Sequence, residues 1–155
     1  MPIFKGRIFP QGVQPPPPSP DLFLQIGPAI AVQIEVPQAL AKQLAAQGQT
    51  VPQPVTGFAL IDTGATISAV DQSAIAQLGV STVGVAGIGT AGGPQQQNLY
   101  PIRIVLNPLG LGIDFSSVTG APLGGTGFIA LLGRDVLARM ILIYDGPNGE
   151  YTLSY

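Results

Sequence analysis

The chain has 155 residues, 46% of them hydrophobic and only 9% charged, with a net charge of −2. That length suits one domain with a real core, the apolar content argues against disorder, and six scattered basic residues leave no electrostatic footprint for nucleic acid or an anionic membrane. With no histidine and no cysteine, Ser-His and Cys-His nucleophiles, thiolate catalysis, disulfides and almost every zinc site are excluded too.

The segment Met1 to Pro10 has two cations but no apolar h-region, so no signal peptide is evident. Residues 1–20 read as a Pro-rich N-terminal arm, with Pro15-Pro16-Pro17-Pro18 forming an extended polyproline tether, and 21–155 as the folded domain. Ile30, Val32, Ile34 and Val36 alternate with Ala31, Gln33 and Glu35, the period of a half-buried strand. After Pro37, Leu40 and Leu44 lie one turn apart and Gly48 is a stop, which predicts a short helix over Gln38–Gln47. The unbroken apolar run Phe58-Ala59-Leu60-Ile61 predicts a strand buried on both faces. Thr66–Val70 leans to β, and Asp71 can cap a helix over Gln72–Leu78 that stops at Gly79.

Val83–Ile88, a glycine-rich tip at Gly89–Gly93, and Leu99–Leu106 predict strand, tip, strand. Further strands are expected at Gly112–Val118 and Phe128–Leu132, followed by a short helix opened by Gly133-Arg134-Asp135. A hairpin, Ile141–Asp145 with Glu150–Ser154, closes the chain around Gly146-Pro147-Asn148-Gly149. The most apolar window, Gly127–Tyr144, is broken by Arg134, Asp135 and Arg139 and predicts no membrane span. The expectation is a soluble protein, with the cytoplasm favoured, and a mainly β, barrel-like domain with short helices and no internal repeat.

The eight acids are spread out in sequence, which offers no clustered oxygen site for Mg²⁺ or Ca²⁺. By elimination acid–base chemistry falls to Asp, Glu, Tyr, Lys or a cofactor, and neither a metal nor another cofactor is expected. The best-placed carboxylate is Asp62 in FALIDTGATIS, presented from the end of an apolar strand and so held and partly desolvated. Thr63 offers a hydroxyl, and Gly64 lets the backbone turn so that its N–H reaches the carboxylate. Alone the tripeptide is weak, since composition gives it by chance about one time in twenty in such a chain; Asp62 could simply start a turn. A second apolar strand, Phe128–Leu132, ends in Gly133 and a helix start at Arg134-Asp135.

ALIDTGAT, a glycine-rich hairpin and ALLGRDVL, in this order, resemble the retropepsins, the retroviral proteases and their cellular relatives, over roughly Ala29–Tyr155. The resemblance implies a retropepsin-like closed β-barrel, one acid-protease half of an obligate homodimer, acting as an aspartic endopeptidase on polypeptides. It implies that Asp62 is the catalytic aspartate, braced by Thr63 and Gly64 across a two-fold axis. Gly87, Ile88, Gly89, Thr90, Ala91 and Gly92 would be the flap over substrate, Ala65 would line the cleft with Ile88, and Leu132, Gly133, Arg134 and Asp135 would support the catalytic loop. Two departures stand out. Thr66 replaces the acid that often follows the motif and pairs with the helix arginine, so Arg134 needs another partner. Ala39–Gln47 and Gln95-Gln96-Gln97 look like insertions.

The chemistry needs two carboxylates sharing one proton, yet the chain has one Asp-Thr-Gly and no repeat. Asp135 could be an in-chain partner but is more economically a helix cap or ion-pair member, so the second carboxylate should be Asp62 of another copy. Gly87-x-Gly89-x-x-Gly92 also fits a dinucleotide fingerprint, but Pro94 and a β stretch follow where that motif needs a helix. The alternatives carried forward are a non-catalytic retropepsin-like dimerisation or peptide-binding module, and a peptidase acting mainly on its own N-terminal arm.

Overall fold

The computed structural model describes residues 1–7, 19–90 and 92–155. The polyproline tract and Ala91 lie outside the described residues. Among the described residues ten strands and four α-helices follow in order: β1 Ile3–Arg7, α1 Pro20–Ile26, β2 Ala29–Glu35, α2 Gln38–Ala46, β3 Val55–Ile61, β4 Ala69–Asp71, α3 Gln72–Leu78, β5 Gly84–Thr90, β6 Gly93–Leu106, β7 Leu111–Ala121, β8 Ala130–Leu132, α4 Arg134–Leu137, β9 Ile141–Asp145 and β10 Glu150–Ser154.

Strand alternation builds the barrel. In β2 the buried positions are Ile30, Val32 and Ile34, and in β6 they are Ile102, Ile104 and Leu106, all at or below 1% exposure. Each such side chain contributes about 1.5–3 kcal/mol when fully buried. The sheet runs β2-β3-β8-β4-β7-β6-β5, and β2 also pairs with β6. Six strands therefore close on themselves, leaving β5 outside as the free arm of a hairpin with β6. Closure removes the exposed edges that an open sheet would present. The mainly β, closed-barrel expectation from the sequence is met.

Several local expectations shift. The β5–β6 hairpin is longer than its apolar pattern suggests, because Pro94 and Gln95-Gln96-Gln97 pair with Ala86-Gly87-Ile88-Gly89. The register of β6 against β7 breaks between Tyr100 and Ile102, where Pro101 has no N–H for the ladder. The helix after Pro37 forms as expected and takes its cap from afar, as Gln38 N–H donates to Asp114 Oδ1 at 2.9 Å.

Beside the barrel lies a second sheet, β1-β10-β9. Ile3–Arg7, grouped with the arm in the sequence reading, pairs with β10 over five positions. Gly6 allows this: a Cβ there would land inside the Tyr151 ring. The Tyr151 hydroxyl donates to Ala29 O at 2.5 Å and ties this sheet to β2; burial raises its pKa above the usual tyrosine value. Glu150, with only 6% of its side chain exposed, is ion-paired with Lys5 and Arg7. The hydrogen bond from Lys5 outweighs burial and, with Arg7, holds Glu150 below the usual carboxylate pKa.

α1 was not foreseen. Ser19 caps it, accepting from Leu22 N–H at 3.2 Å, Pro20 starts it and Gly27 at φ 79 ends it. Its buried residue, Phe23, stacks on Tyr144 with centroids 4.4 Å apart and lies parallel to Tyr151.

Candidate active site

Asp62 emerges at the end of β3, beside its parallel neighbour β8. Its N–H donates to Leu132 O at 2.9 Å, so the catalytic-candidate backbone is pinned to the other recognised motif. The Asp62 carboxylate is half-buried, and Oδ1 accepts from Gly64 N–H at 2.8 Å and Ala65 N–H at 3.2 Å. Two backbone donors on one oxygen orient the carboxylate, and among the described residues Oδ2 has no hydrogen-bond partner. A Cβ at Gly64 would sit 3.1 Å from Oδ1, tight enough to disturb that geometry.

The loop after Asp62 is held from beneath by the start of α4. Arg134 N–H donates to Ala65 O at 2.9 Å and Asp135 N–H to Thr66 O at 3.2 Å. The Arg134 side chain reaches Thr63 O at 3.3 Å and Thr66 Oγ1 at 2.9 Å. Arg134 thus finds its partner at the very position where an acid was missing: the Thr66 hydroxyl accepts in its place.

Among the described residues Asp135 makes no ion pair. Its oxygens accept from Ser68 N–H at 2.9 Å, Ser68 Oγ at 2.7 Å and Val136 N–H at 2.9 Å. Ser68, fully buried, also accepts from Gly133 N–H at 3.0 Å. Gly133 has to be glycine, since a Cβ would lie 2.7 Å from Ile67 C and 2.8 Å from its carbonyl oxygen. Leu132, Gly133, Arg134 and Asp135 are therefore brought against Asp62, Thr63, Gly64 and Ala65 as one braced unit.

A cleft of about 790 Å³ opens at Asp62. On one side Phe58 and Leu60 of β3 line it, which corrects the expectation of a strand buried on both faces. Ala59 and Ile61 point into the core, whereas Phe58 is 52% exposed, because the outer face of β3 is the cleft floor. Leu123, Thr126, Phe128 and Leu131 form another wall. Asp71 holds that wall: its carboxylate accepts from Leu123 N–H at 2.8 Å and is hydrogen-bonded to Ser73. Burial works to raise the Asp71 pKa, but the hydrogen bonds from Ser73, Leu123 and Ala74 outweigh it and leave it lowered.

Ala65, Gly87, Ile88, Gly89 and Gly92, expected to contact substrate, do not line this cleft. Ala65 O accepts from the first N–H of α4, and the glycines and Ile88 belong to the β5–β6 hairpin, whose outer strand β5 pairs with β6 alone among the described strands. The dinucleotide fingerprint sits in that hairpin, with a strand and no helix after it. Sequence reasoning missed Leu22, Gln25 and Ile26 of α1, which form the remaining wall with Arg7. The Ser19-Pro20 start and Gly27 stop were the available signal. Among the described residues no helix is long and apolar enough to cross a membrane, which says nothing of β-barrel spans. Nor do three or more acids gather there in a way that could hold a metal ion.

A closed barrel that presents one Asp-Thr-Gly loop, braced by an apolar-Gly-Arg-Asp segment, defines a retropepsin-like protein. The retroviral aspartyl protease family model matches residues 28–142, and the chain belongs to that family. Comparison with curated proteins finds no match. Among solved structures the chain is similar to EIAV protease complexed with the inhibitor HBY-793 (TM-score 0.47, 22% identity, covering 72% of this chain and 85% of that one). It is also similar to simian foamy virus (mac) protease (0.44, 17%, 72% and 92%), and to a retropepsin-like aspartic protease from Rickettsia conorii (0.42, 18%, 83% and 90%).

Proposed function

We propose that the protein is an aspartic endopeptidase in which water is activated between the Asp62 carboxylates of two identical chains. Membership of the family supports peptide hydrolysis as the reaction. The observation that carries the residue assignment is the Asp62 loop: an oriented, half-buried carboxylate opening on a cleft. An ionised Asp62 takes a proton from water as its oxygen attacks the scissile carbonyl carbon. A protonated Asp62 on the second chain gives its proton to the carbonyl oxygen. The tetrahedral diol then collapses, the C–N bond breaks, and the departing amine leaves with a proton from the dyad.

Three features support the second chain as the source of the second carboxylate. The Asp135 oxygens are already taken by Ser68 and Val136. Thr63 and Gly64 are exposed, and the Thr63 hydroxyl has no hydrogen-bond partner among the described residues, which suits a brace across a two-fold axis. The outer face of the terminal sheet also gathers Ile3, Ile141 and Ile143, each more than half exposed, a surface suited to self-association. Gly87 to Gly92 serve as the flap, its glycines admitting close approach of a peptide backbone.

Carboxyls that share a proton titrate as a pair, so cleavage peaks at mildly acidic pH; a rate rising steadily to about pH 9 would contradict that coupling. The test is digestion of an unstructured protein such as casein by wild type and Asp62→Asn from about pH 3.5 to 7.5, a span covering the acidic and neutral limbs of a pH–rate profile, with products read by mass spectrometry. Cleavage by wild type alone supports the proposal. Equal cleavage by both removes Asp62 from the reaction, and cleavage by neither favours a binding module.

A further inference from the structure

The matched family region begins at residue 28, yet one wall of the cleft at Asp62 comes from residues before it. Leu22, Gln25 and Ile26 fall at i, i+3 and i+4 of α1, the spacing that places side chains on one helix face. We infer that this face of α1 is a specificity-determining wall of the cleft, with Leu22 and Ile26 forming an apolar subsite for a large apolar side chain of the polypeptide substrate. The inference rests on the peptidase reading above.

Four observations carry it. The first is continuity: the cleft that α1 walls on one side has Asp62 on its lining. The second is chemistry. Besides Leu22 and Ile26 the lining carries Phe58, Leu60 and Leu123, all apolar. The one cation of the lining, Arg7, is engaged by Glu150. A pocket of this size, apolar with few polar groups, suits several consecutive side chains of an extended ligand.

The third is rigidity. A wall discriminates only if it does not yield, and α1 is anchored on its opposite side by Phe23 stacking with Tyr144. Its ends are fixed by the Ser19 cap and by Gly27, where a Cβ would come within 3.1 Å of Leu60. Leu22 and Ile26 are only half-buried despite this anchoring, so the helix holds apolar surface toward the cleft that the fold itself does not cover. The fourth concerns the occupant. The partner chain has to bring its own Asp62 to this cleft without filling it, because water and peptide must still reach both carboxylates, which leaves the α1 wall open to the peptide.

The test compares wild type, Leu22→Ala, Ile26→Ala and Leu24→Ala on a peptide library varied at each position around the cut. Binding of the same peptides is measured on each variant in the Asp62→Asn background. Leu24 is 80% exposed and absent from the lining, so Leu24→Ala controls for general effects on the helix. Circular dichroism and sedimentation check fold and association. We expect Leu22→Ala and Ile26→Ala to reduce the preference for a large apolar residue over alanine by about tenfold or more at one substrate position, in line with losing two or three methyl groups from a pocket. Leu24→Ala leaves it unchanged. Unaltered preference at every position overturns the inference, as does weakened dimerisation, which would make the cleft a subunit interface. Tighter peptide binding after truncation also overturns it, because the chain itself would then be the occupant. If wild type cleaves nothing while the binding preference still collapses in the variants, the peptidase reading fails and the subsite stands.

Discussion

Replacing Ser68 with alanine removes the hub that joins the Asp62 loop to α4. The lost hydroxyl donates to Asp135 Oδ1 at 2.7 Å and accepts from Gly133 N–H at 3.0 Å, in a fully buried position. A hydrogen bond to a carboxylate contributes about 1.5–3 kcal/mol, and a stranded buried N–H costs about 1–3 kcal/mol. The two effects overlap, so the expected destabilisation is about 2–4 kcal/mol. For a domain of this size that lowers Tm by about 6–12 °C. Urea denaturation and calorimetry at matched protein concentration read it, because the Tm of a dimer depends on concentration. A double-mutant cycle with Asp135→Asn should show coupling of at least about 1 kcal/mol. Cleavage should fall as well, since Leu132 O and Ala65 O position the same loop. A loss below about 0.5 kcal/mol, the level of an ordinary surface change, would refute the claim that this hub holds the site.

Two further outcomes follow from the same geometry. Gly133→Ala drives a Cβ into the Ile67 backbone; overpacking costs about 1–3 kcal/mol, and an ångström of displacement at the Asp62 loop lowers kcat about 100-fold, both measurable on one preparation. Glu150, with its folded pKa below the usual 4.5, contributes stability that is fully present above that value and is lost as pH falls through the folded pKa. Glu150→Gln should therefore flatten the acid limb of a stability–pH profile, and an unchanged acid limb would show that the Lys5 and Arg7 pairs do not act on it.

The barrel strands were legible because period-two alternation survives in β2 and β6, where one face is core and the other is not. Asp62 and its support were legible because both motifs are local runs, each at the end of an apolar strand. The orientation of Phe58 and Leu60 was not. An unbroken apolar run fits a doubly buried strand as well as one whose outer face floors a cleft, and only the position of α1 and the Leu123–Leu131 wall distinguishes them. β1 escaped notice because its partner lies at the far end of the chain and its pattern spans five residues, with Gly6 occupying the inward position under Tyr151. α1 carried its cap and stop in plain view, but seven residues behind a proline run gave too short a period to register. The Arg134 partner was unreadable for another reason: a threonine hydroxyl accepting from a guanidinium has no sequence signature.

The most direct test of the account mixes wild-type and Asp62→Asn chains, unfolds and refolds them together, and measures cleavage at constant total protein. If each site needs Asp62 from both chains, an equal mixture retains about a quarter of the wild-type rate, the fraction of dimers with two wild-type chains under random pairing. A rate of about one half, the value for chains acting independently, would contradict the shared site.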